Sequence, residues 1–144
     1  MKNKRIGNIE RILIAECVKD IPSFAKINRL FEMGADPNAV NEYGESVLSI
    51  VFEGYCSLYG ANLRSGFFAP HLVTCFIQNG FDVRRHGLFV ISELENGIYD
   101  KHIRRAISMI LTHRRQLIKK DIKTAAVCIK MIAQKAIGSR KKTA

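Results

Sequence analysis

Apolar residues recur along most of the chain at steps of three and four, the spacing that places side chains on one face of an α-helix. The first such stretch predicts a helix over about residues 7–19, which ends before Pro22. Ser23 then stands where it can cap a second helix, and Gly34 is suited to the left-handed conformation that ends it near Met33. Alternation of apolar and polar residues never persists beyond a few positions. The pattern therefore predicts an all-α protein.

The middle of the chain predicts two further helices separated by a long insertion. A third helix opens near Ser46, after a segment rich in turn-forming residues. The helical spacing lapses over residues 53–66, which predicts an inserted loop of about a dozen residues. Spacing resumes at Pro70, where a proline is tolerated because it lies in a first helical turn. The fourth helix should stop at Asn79 and Gly80.

Beyond these helices the pattern predicts a short apolar run at residues 88–94, a helix around 103–111 and a separate last helix over about 116–137. The last helix has the most regular apolar seam of the chain. The seam steps by 4, 3, 4, 3 and 4 through Ile118, Ile122, Ala125, Ile129, Ile132 and Ala136. We expect one domain over residues 1–138, followed by a basic tail at 139–144.

Residues 34–39, Gly-Ala-Asp-Pro-Asn-Ala, lead through a turn to Gly-Glu-Ser-Val-Leu at residues 44–48. This stretch resembles the junction between two ankyrin repeats. In that family a helix ends in Gly-Ala-Asp-x-Asn-Ala, passes through a hairpin-like finger and re-enters a helix at Asp-x-x-Gly-x-Thr-Pro-Leu. Asn41 stands for the Asp of that pattern, Ser46 for the Thr and Val47 for the Pro, and only the last exchange loses a turn or cap function.

A second, weaker copy of the helix end lies at residues 75–83. Gly80 follows Gly34 by 46 residues, whereas the family period is about 33, so the copy requires an insertion of about 13 residues. The predicted loop at 53–66 has that length. The third unit, residues 87–113, lacks the Thr-Pro-Leu-His core. The resemblance implies an ankyrin-like solenoid of about three degenerate helix pairs, with the basic helix at 116–137 capping its end.

The formal charge of +10 is concentrated at the end of the chain. Residues 1–100 carry a net charge of −2, whereas residues 101–144 hold 13 Lys and Arg against Asp121 alone, a net charge of +12. Three interpretations remain open: a solvated cationic face, contact with nucleic acid or an acidic protein, and a helix lying on an anionic membrane surface. The basic patch is represented by Lys119, Lys120, Lys123 and Lys130.

Catalytic chemistry has little support in the sequence. The four histidines, His71, His86, His102 and His113, share no recognised arrangement with Cys, Ser or Asp, so we interpret them as solvated or capping residues. We expect no enzyme activity, no metal and no cofactor.

The four cysteines, Cys17, Cys56, Cys75 and Cys128, are separated by 39, 19 and 53 residues. They form no close pair or zinc-type cluster, which favours reduced structural thiols over a disulfide framework or a metal site. All but Cys56 fall in segments with helical apolar spacing, where a free cysteine behaves as a small core residue.

The resemblance implies that fingers and inner helices form a surface for binding another protein. Tyrosine and arginine, which dominate interface hot spots, occur near these positions. The candidate partner-binding residues are Tyr43 and Glu45 in the finger, Tyr55, Tyr59 and Arg64 in the insertion, and Arg84 and Arg85 in the second turn. We therefore expect an adaptor, inhibitor or immunity-type binding protein, with binding of nucleic acid through residues 101–144 as the alternative.

The apolar runs and the N-terminal residues indicate where the protein is located. No apolar run approaches the roughly 20 residues needed to cross a bilayer, and the basic N-terminus is followed by polar residues that prevent a secretory signal. We expect a soluble cytoplasmic protein. A monomer is favoured, although the oligomeric state and the identity of the partner do not follow from the sequence.

Overall fold

The computed structural model describes the backbone of residues 4–57, 67–86 and 101–143, and their side chains except those of residues 55–57 and 138–143. Helices make up most of this part of the chain. They are α1 (Asn8–Cys17), α2 (Phe24–Glu32), α3 (Val47–Ser57), α4 (Ala69–Gln78) and α5 (Lys101–Thr143), with a helical turn at 83–86. The described residues contain two isolated β-bridges and no longer strand. The predicted all-α class is confirmed.

The core forms where these helices cross. Helix α1 packs against α2 and α3, and α4 packs against the first part of α5. An edge-to-face contact between Phe31 and Phe76, with ring centroids 5.2 Å apart, joins α2 to α4. The largest fully buried apolar side chains are Phe52, Phe76, Leu13, Ile27, Leu48, Leu72 and Ile110. Each lies on the apolar stripe of its helix, so burial follows the three- and four-residue spacing.

The predicted helix boundaries around α2 are confirmed. The Ser23 hydroxyl accepts a hydrogen bond from the Lys26 amide at 3.3 Å and caps the first turn. Helix α2 ends at Glu32, and Gly34 has a φ of 106°. Ser46 caps α3 in the same way, because its hydroxyl accepts from the Ser49 amide at 3.3 Å.

The ends of α2 and α4 have the same geometry. Gly80 has a φ of 94°, which corresponds to the left-handed conformation of Gly34. Backbone hydrogen bonds close both turns at equivalent positions: Gly34 N–H to Phe31 O (3.0 Å), Ala35 N–H to Leu30 O (3.0 Å), Gly80 N–H to Ile77 O (3.1 Å) and Phe81 N–H to Phe76 O (2.9 Å). This is the glycine-terminated arrangement that satisfies the last carbonyls of a helix.

The residues after each glycine also correspond. The Asp36 carboxylate accepts from the Asn38 amide at 2.8 Å, and the Asp82 carboxylate accepts from the Arg84 amide at 3.1 Å. The two turns lie against each other through the Asn38 side chain. Its Nδ2 donates to the Gly80 carbonyl at 2.9 Å, and its Oδ1 accepts from the Asp82 amide at 2.7 Å. The two helix ends that look alike in sequence are therefore alike in structure and adjacent in space.

The predicted start of the inserted loop is wrong, because residues 53–57 continue helix α3. Gly54 is accommodated there, with Val18 packing 3.2 Å from the position that a Cβ would take. A glycine in a packed helix interior can serve close approach instead of a turn. The rest of the predicted loop, residues 58–66, and the apolar run at 88–94 lie outside the described residues.

The predicted separation of the last two helices is also wrong, because α5 runs without a break from Lys101 to Thr143. The intervening residues, 112–115, contain no glycine or proline and so do not interrupt a helix. What changes there is the face of the apolar stripe, because the seam that begins at Ile118 is rotated around the helix relative to the buried residues Ile103, Ala106 and Ile110. Residues 119–137 are exposed in the described part of the chain, so the seam is not buried there as a capping helix would require.

Candidate protein-binding edge

Three segments that flank or connect the five helices lie side by side. The Ile6 amide donates to the Val40 carbonyl at 3.0 Å, and the Val40 amide donates to the Lys4 carbonyl at 2.9 Å. Asn38 joins the same segment to Gly80 and Asp82. We call residues 4–6, 38–46 and 80–86 together the loop edge. The loop edge contains the predicted finger, within residues 38–46, and the predicted second turn, within residues 80–86.

The finger within the loop edge is held by one side chain. Asn41 Oδ1 accepts from the amides of Tyr43 and Glu45 at 3.0 and 2.9 Å, and the Asn41 amide donates to the Glu45 carbonyl at 3.0 Å. Gly44 takes a φ of 80°, which completes the turn. Asn supports such a turn because its side chain accepts hydrogen bonds from nearby backbone amides, and Gly supports it because it adopts positive φ without strain. The finger is therefore a hydrogen-bonded turn with a defined tip.

The two predicted binding residues of the finger have different environments. Tyr43 lies at the tip with 76% of its surface exposed. Glu45 is partly buried, and its Oε1 accepts from the Asn41 side-chain amide at 3.3 Å. Its Oε2 has no hydrogen-bond partner among the described residues. Tyr43 is thus available to a partner, whereas the Glu45 carboxylate faces its own turn.

Arg84 and Arg85 are both exposed at the second turn of the loop edge. Arg84 forms a two-pronged ion pair with Asp121 on α5, with Nε–Oδ2 and Nη2–Oδ1 distances of 2.7 and 3.0 Å. This pair connects the loop edge to the basic helix. Sequence analysis missed it, because the partners are 37 positions apart in the chain and leave no local signal.

Glu10, whose side chain is fully buried, binds residues that adjoin two segments of the loop edge. Its Oε1 accepts from the Gly7 amide at 2.9 Å, and its Oε2 accepts from the Asp36 amide at 3.3 Å and lies 4.0 Å from the Lys4 ammonium. An acid three residues after a helix cap is the pattern of a capping box. That signal could have found the first contact, but the contact with Asp36 depends on the fold.

A second buried carboxylate, Glu16, connects α1 to the start of α2. Its Oε2 lies 2.6 Å from the Lys19 ammonium and 3.6 Å from that of Lys26, and its Oε1 accepts from the Ser23 amide at 3.0 Å. The hydrogen bond from Lys19, with the Ser23 amide and the charge of Lys26, outweighs burial and lowers the pKa of Glu16. The carboxylate is therefore a structural anion.

His86, at the end of the second turn, is buried and not solvated, so that prediction is wrong. Its ring lies 5.8 Å from that of Phe81, and its Nε2 has no hydrogen-bond partner among the described residues. Burial and the neighbouring Arg85 charge lower the pKa of His86, against smaller opposing effects of Asp82 and Asp36. A buried imidazole of this kind is held neutral, because protonation would place a charge in an apolar environment.

The cysteines are partly as predicted. Cys17 and Cys75 are buried, and burial raises the pKa of both thiols. Cys128 is exposed on α5, so its expected place in the core is wrong. In the described ranges no three His, Cys, Asp or Glu side chains lie close enough together to hold a metal ion.

The remaining predicted site residues are distributed as follows. Lys119, Lys120, Lys123 and Lys130 are all exposed on α5. The backbone of Tyr55 belongs to α3, while its side chain, together with Tyr59 and Arg64, lies outside the described residues. The described geometry therefore places the segments that carry Tyr43, Arg84 and Arg85 side by side through Asn38, whereas the four lysines lie on α5.

The chain matches no protein-family model, no curated protein and no solved structure. Among the described helices none is long and apolar enough to cross a membrane. The loop edge and the exposed part of α5 are the two surfaces from which a function can be inferred.

Proposed function

We propose that the chain is an ankyrin-like protein-interaction module that docks a partner protein on its loop edge and acts by binding instead of catalysis. Two turns with the same hydrogen bonds, 46 residues apart in the sequence, support a repeated helix-pair architecture. Asn38 places these turns side by side, as successive repeats of that family would be. An adaptor, an inhibitor and an immunity-type protein would all work in this way.

The observation that carries the proposal is Tyr43 at the tip of the finger. A large aromatic ring that is 76% exposed is held on a turn whose backbone is fixed by Asn41. Tyrosine contributes strongly to interfaces because it combines apolar area with a hydroxyl and has few torsions to restrict. Ordering the turn in advance lowers the entropic cost of association. Arg85 and the Arg84–Asp121 pair lie on or against the segment that Asn38 joins to the base of the finger.

The proposal can be tested by capturing partner proteins from native cell extract with the wild-type chain and with variants at two exposed positions, one inside the loop edge and one outside it. We expect the immobilised full chain to retain a partner that is lost with Tyr43→Ala. The matched control is Ile21→Ala, since Ile21 is 71% exposed but lies between α1 and α2, outside the loop edge. Circular dichroism would show that both variants fold. Retention of the same proteins by wild type and by Tyr43→Ala would contradict the proposal.

A second candidate function is binding of nucleic acid through residues 101–144. It is favoured by the exposure of Lys119, Lys120, Lys123 and Lys130 on a single helix that extends beyond the core. Affinity for generic duplex DNA or RNA should then fall steeply with added salt, because phosphate contacts release counterions. Exchange of all four lysines for glutamine should lower the salt slope by about one for each lysine that binds a phosphate. Arg29→Gln on α2 provides the control and should leave the slope unchanged.

A further inference from the structure

The exposed part of α5 presents an apolar seam that the described chain does not cover. Ile122, Ile129 and Ile132 are 63%, 68% and 67% exposed, and Ala125 and Ala136 are exposed between and beyond them. Isolated exposed apolar residues are ordinary, but a continuous stripe of them marks a surface that meets another molecule. Earlier on the same helix, Ile103, Ala106 and Ile110 are buried against the core. Only the second part of α5 is therefore without a covering surface.

We propose that this seam pairs with the same seam of a second copy of the chain, in an antiparallel helix pair centred at Val127. Steps of 4 and 3 residues define the two core positions of a coiled coil. One position holds Ile122, Ile129 and Ala136, and the other holds Ile118, Ala125 and Ile132. The part of α5 that carries the seam, residues 118–136, is roughly 28 Å long at 1.5 Å per residue, which is enough for several layers of interlocking side chains.

The sizes of the seam residues favour the antiparallel orientation. When two copies run in opposite directions about Val127, Ala125 faces Ile129 of the second copy, and Ile118 faces Ala136 of the second copy. Ile122 then faces Ile132, so every alanine is opposite an isoleucine. A parallel pair in register would instead place each alanine against the same alanine and leave voids in those layers. Interiors pack without such voids, because atoms that line a gap have no neighbours on that side and forfeit dispersion attraction.

The charges beside the seam are complementary in the same orientation. The carboxylate of Asp121 lies opposite Lys135 of the second copy, and symmetry repeats this pair at the other end. Asp121 is also the residue that Arg84 holds on the loop-edge side. Of the other residues that flank the seam, Ala126, Cys128 and Ala133 are small, and Lys119 lies opposite Ala133 of the second copy, where it meets no like charge. Lys120, Lys123 and Lys130 point away from the seam, so their mutual repulsion is screened by salt.

Sedimentation of the full chain over about 1 to 300 µM tests the pairing, since helix pairs of this length associate weakly. We expect a monomer–dimer equilibrium that Ile129→Asp weakens about tenfold or more. The matched control is Val127→Asp, because Val127 is also exposed, at 57%, but lies on the opposite side of the helix. Val127→Asp introduces the same charge and should leave the dimer intact. A monomer at all concentrations, or equal loss in both variants, would overturn the proposal.

Two further experiments test the dimer. Cross-linking tests the orientation of the two helices, and a salt series tests which interaction holds them together. The antiparallel register places Cys128 opposite Cys128 of the second copy near the symmetry axis, so a short bis-maleimide should give a covalent dimer that Cys128→Ser abolishes. Raising the salt concentration should strengthen the dimer, because it screens like charges while the apolar seam is retained. Absence of a Cys128-dependent cross-link would exclude this register. An apparent dimer that dissociates with added salt, or forms only on nucleic acid or anionic vesicles, would also overturn the pairing.

Discussion

The side-chain oxygen of Asn38 accepts a hydrogen bond from the backbone amide of Asp82 at 2.7 Å, across 44 residues of sequence. The same side chain donates to the Gly80 carbonyl at 2.9 Å. One asparagine therefore joins two turns that have the same internal geometry. This relationship makes the loop edge a single surface. It also gives the Asn38 side chain a role that an apolar residue could not perform, because the side chain both donates and accepts a hydrogen bond.

Asn38→Ala should lower the free energy of unfolding by about 1–2 kcal/mol, because both hydrogen bonds between the turns are removed. Urea denaturation followed by circular dichroism measures the change. Asn8→Ala is the control, since Asn8 is exposed in the first turn of α1 and its exchange should be near neutral. Equal stability of wild type and Asn38→Ala would show that the link between the turns contributes nothing.

Gly34→Ala should destabilise the protein by about 1 kcal/mol, because an L-residue is strained at the φ of 106° that Gly34 adopts. No atom lies within 4 Å of the position that an added Cβ would occupy, so the cost comes from the backbone alone. Gly34→Asn distinguishes strain from crowding. Asparagine is larger than alanine but tolerates the left-handed region, so thermal denaturation should show a smaller loss for Asn than for Ala. A larger loss for Asn would instead indicate crowding.

Glu16→Gln should lower stability at neutral pH by about 1 kcal/mol, since the variant keeps an acceptor for Ser23 but loses the ion pairs with Lys19 and Lys26. The folded pKa of Glu16 lies below its ordinary value of 4.5, mainly through the Lys19 hydrogen bond. Its contribution is therefore present above 4.5 and lost as the pH falls through the folded pKa. Urea denaturation at pH 7 and at a series of acid pH values should show a difference that disappears as Glu16 becomes protonated in the folded protein. Glu42→Gln on the exposed finger is the control.

Acidification should destabilise the protein through His86, because the buried imidazole has a folded pKa below its ordinary value of 6.5. Between these two values the unfolded chain binds more protons than the folded chain, so stability falls as the pH decreases below about 6.5. His86→Gln should reduce this slope between pH 6.5 and the folded pKa. Gln78→Ala serves as the control, because Gln78 is exposed and carries no titratable group, and it should leave the slope unchanged. An unchanged slope in His86→Gln would show that the pKa of His86 is the same in the folded and unfolded chains.

Much of the fold was accessible from local sequence patterns. Helix α2, its Ser23 cap and its Gly34 terminus were predicted because spacing, capping and positive φ are properties of neighbouring residues. The copy of that helix end at Gly80 was found for the same reason. The basic helix was predicted as a helix, but its beginning was misplaced, since a change of apolar face looks like the end of a helix when no partner surface is visible.

Local sequence patterns predicted only part of the candidate site. Tyr43 could be placed on an exposed finger because the surrounding residues specify a turn. Its neighbour Glu45 has the same local signals, yet its carboxylate is taken up by Asn41. The loop edge as a whole could not be predicted, because Asn38 and Asp82 are brought together by the packing of helices.

The sequence by itself determined where helices form and where two of them end, since these outcomes depend on residues within one or two turns of each other. The tertiary structure decided which polar groups are buried, among them Glu10, Glu16 and His86, and which distant charges meet, as Arg84 and Asp121 do. It also decided that the seam of α5 lies outside the described core. Burial and long-range pairing depend on how helices pack, and periodicity along the chain defines an apolar face without specifying what will cover it.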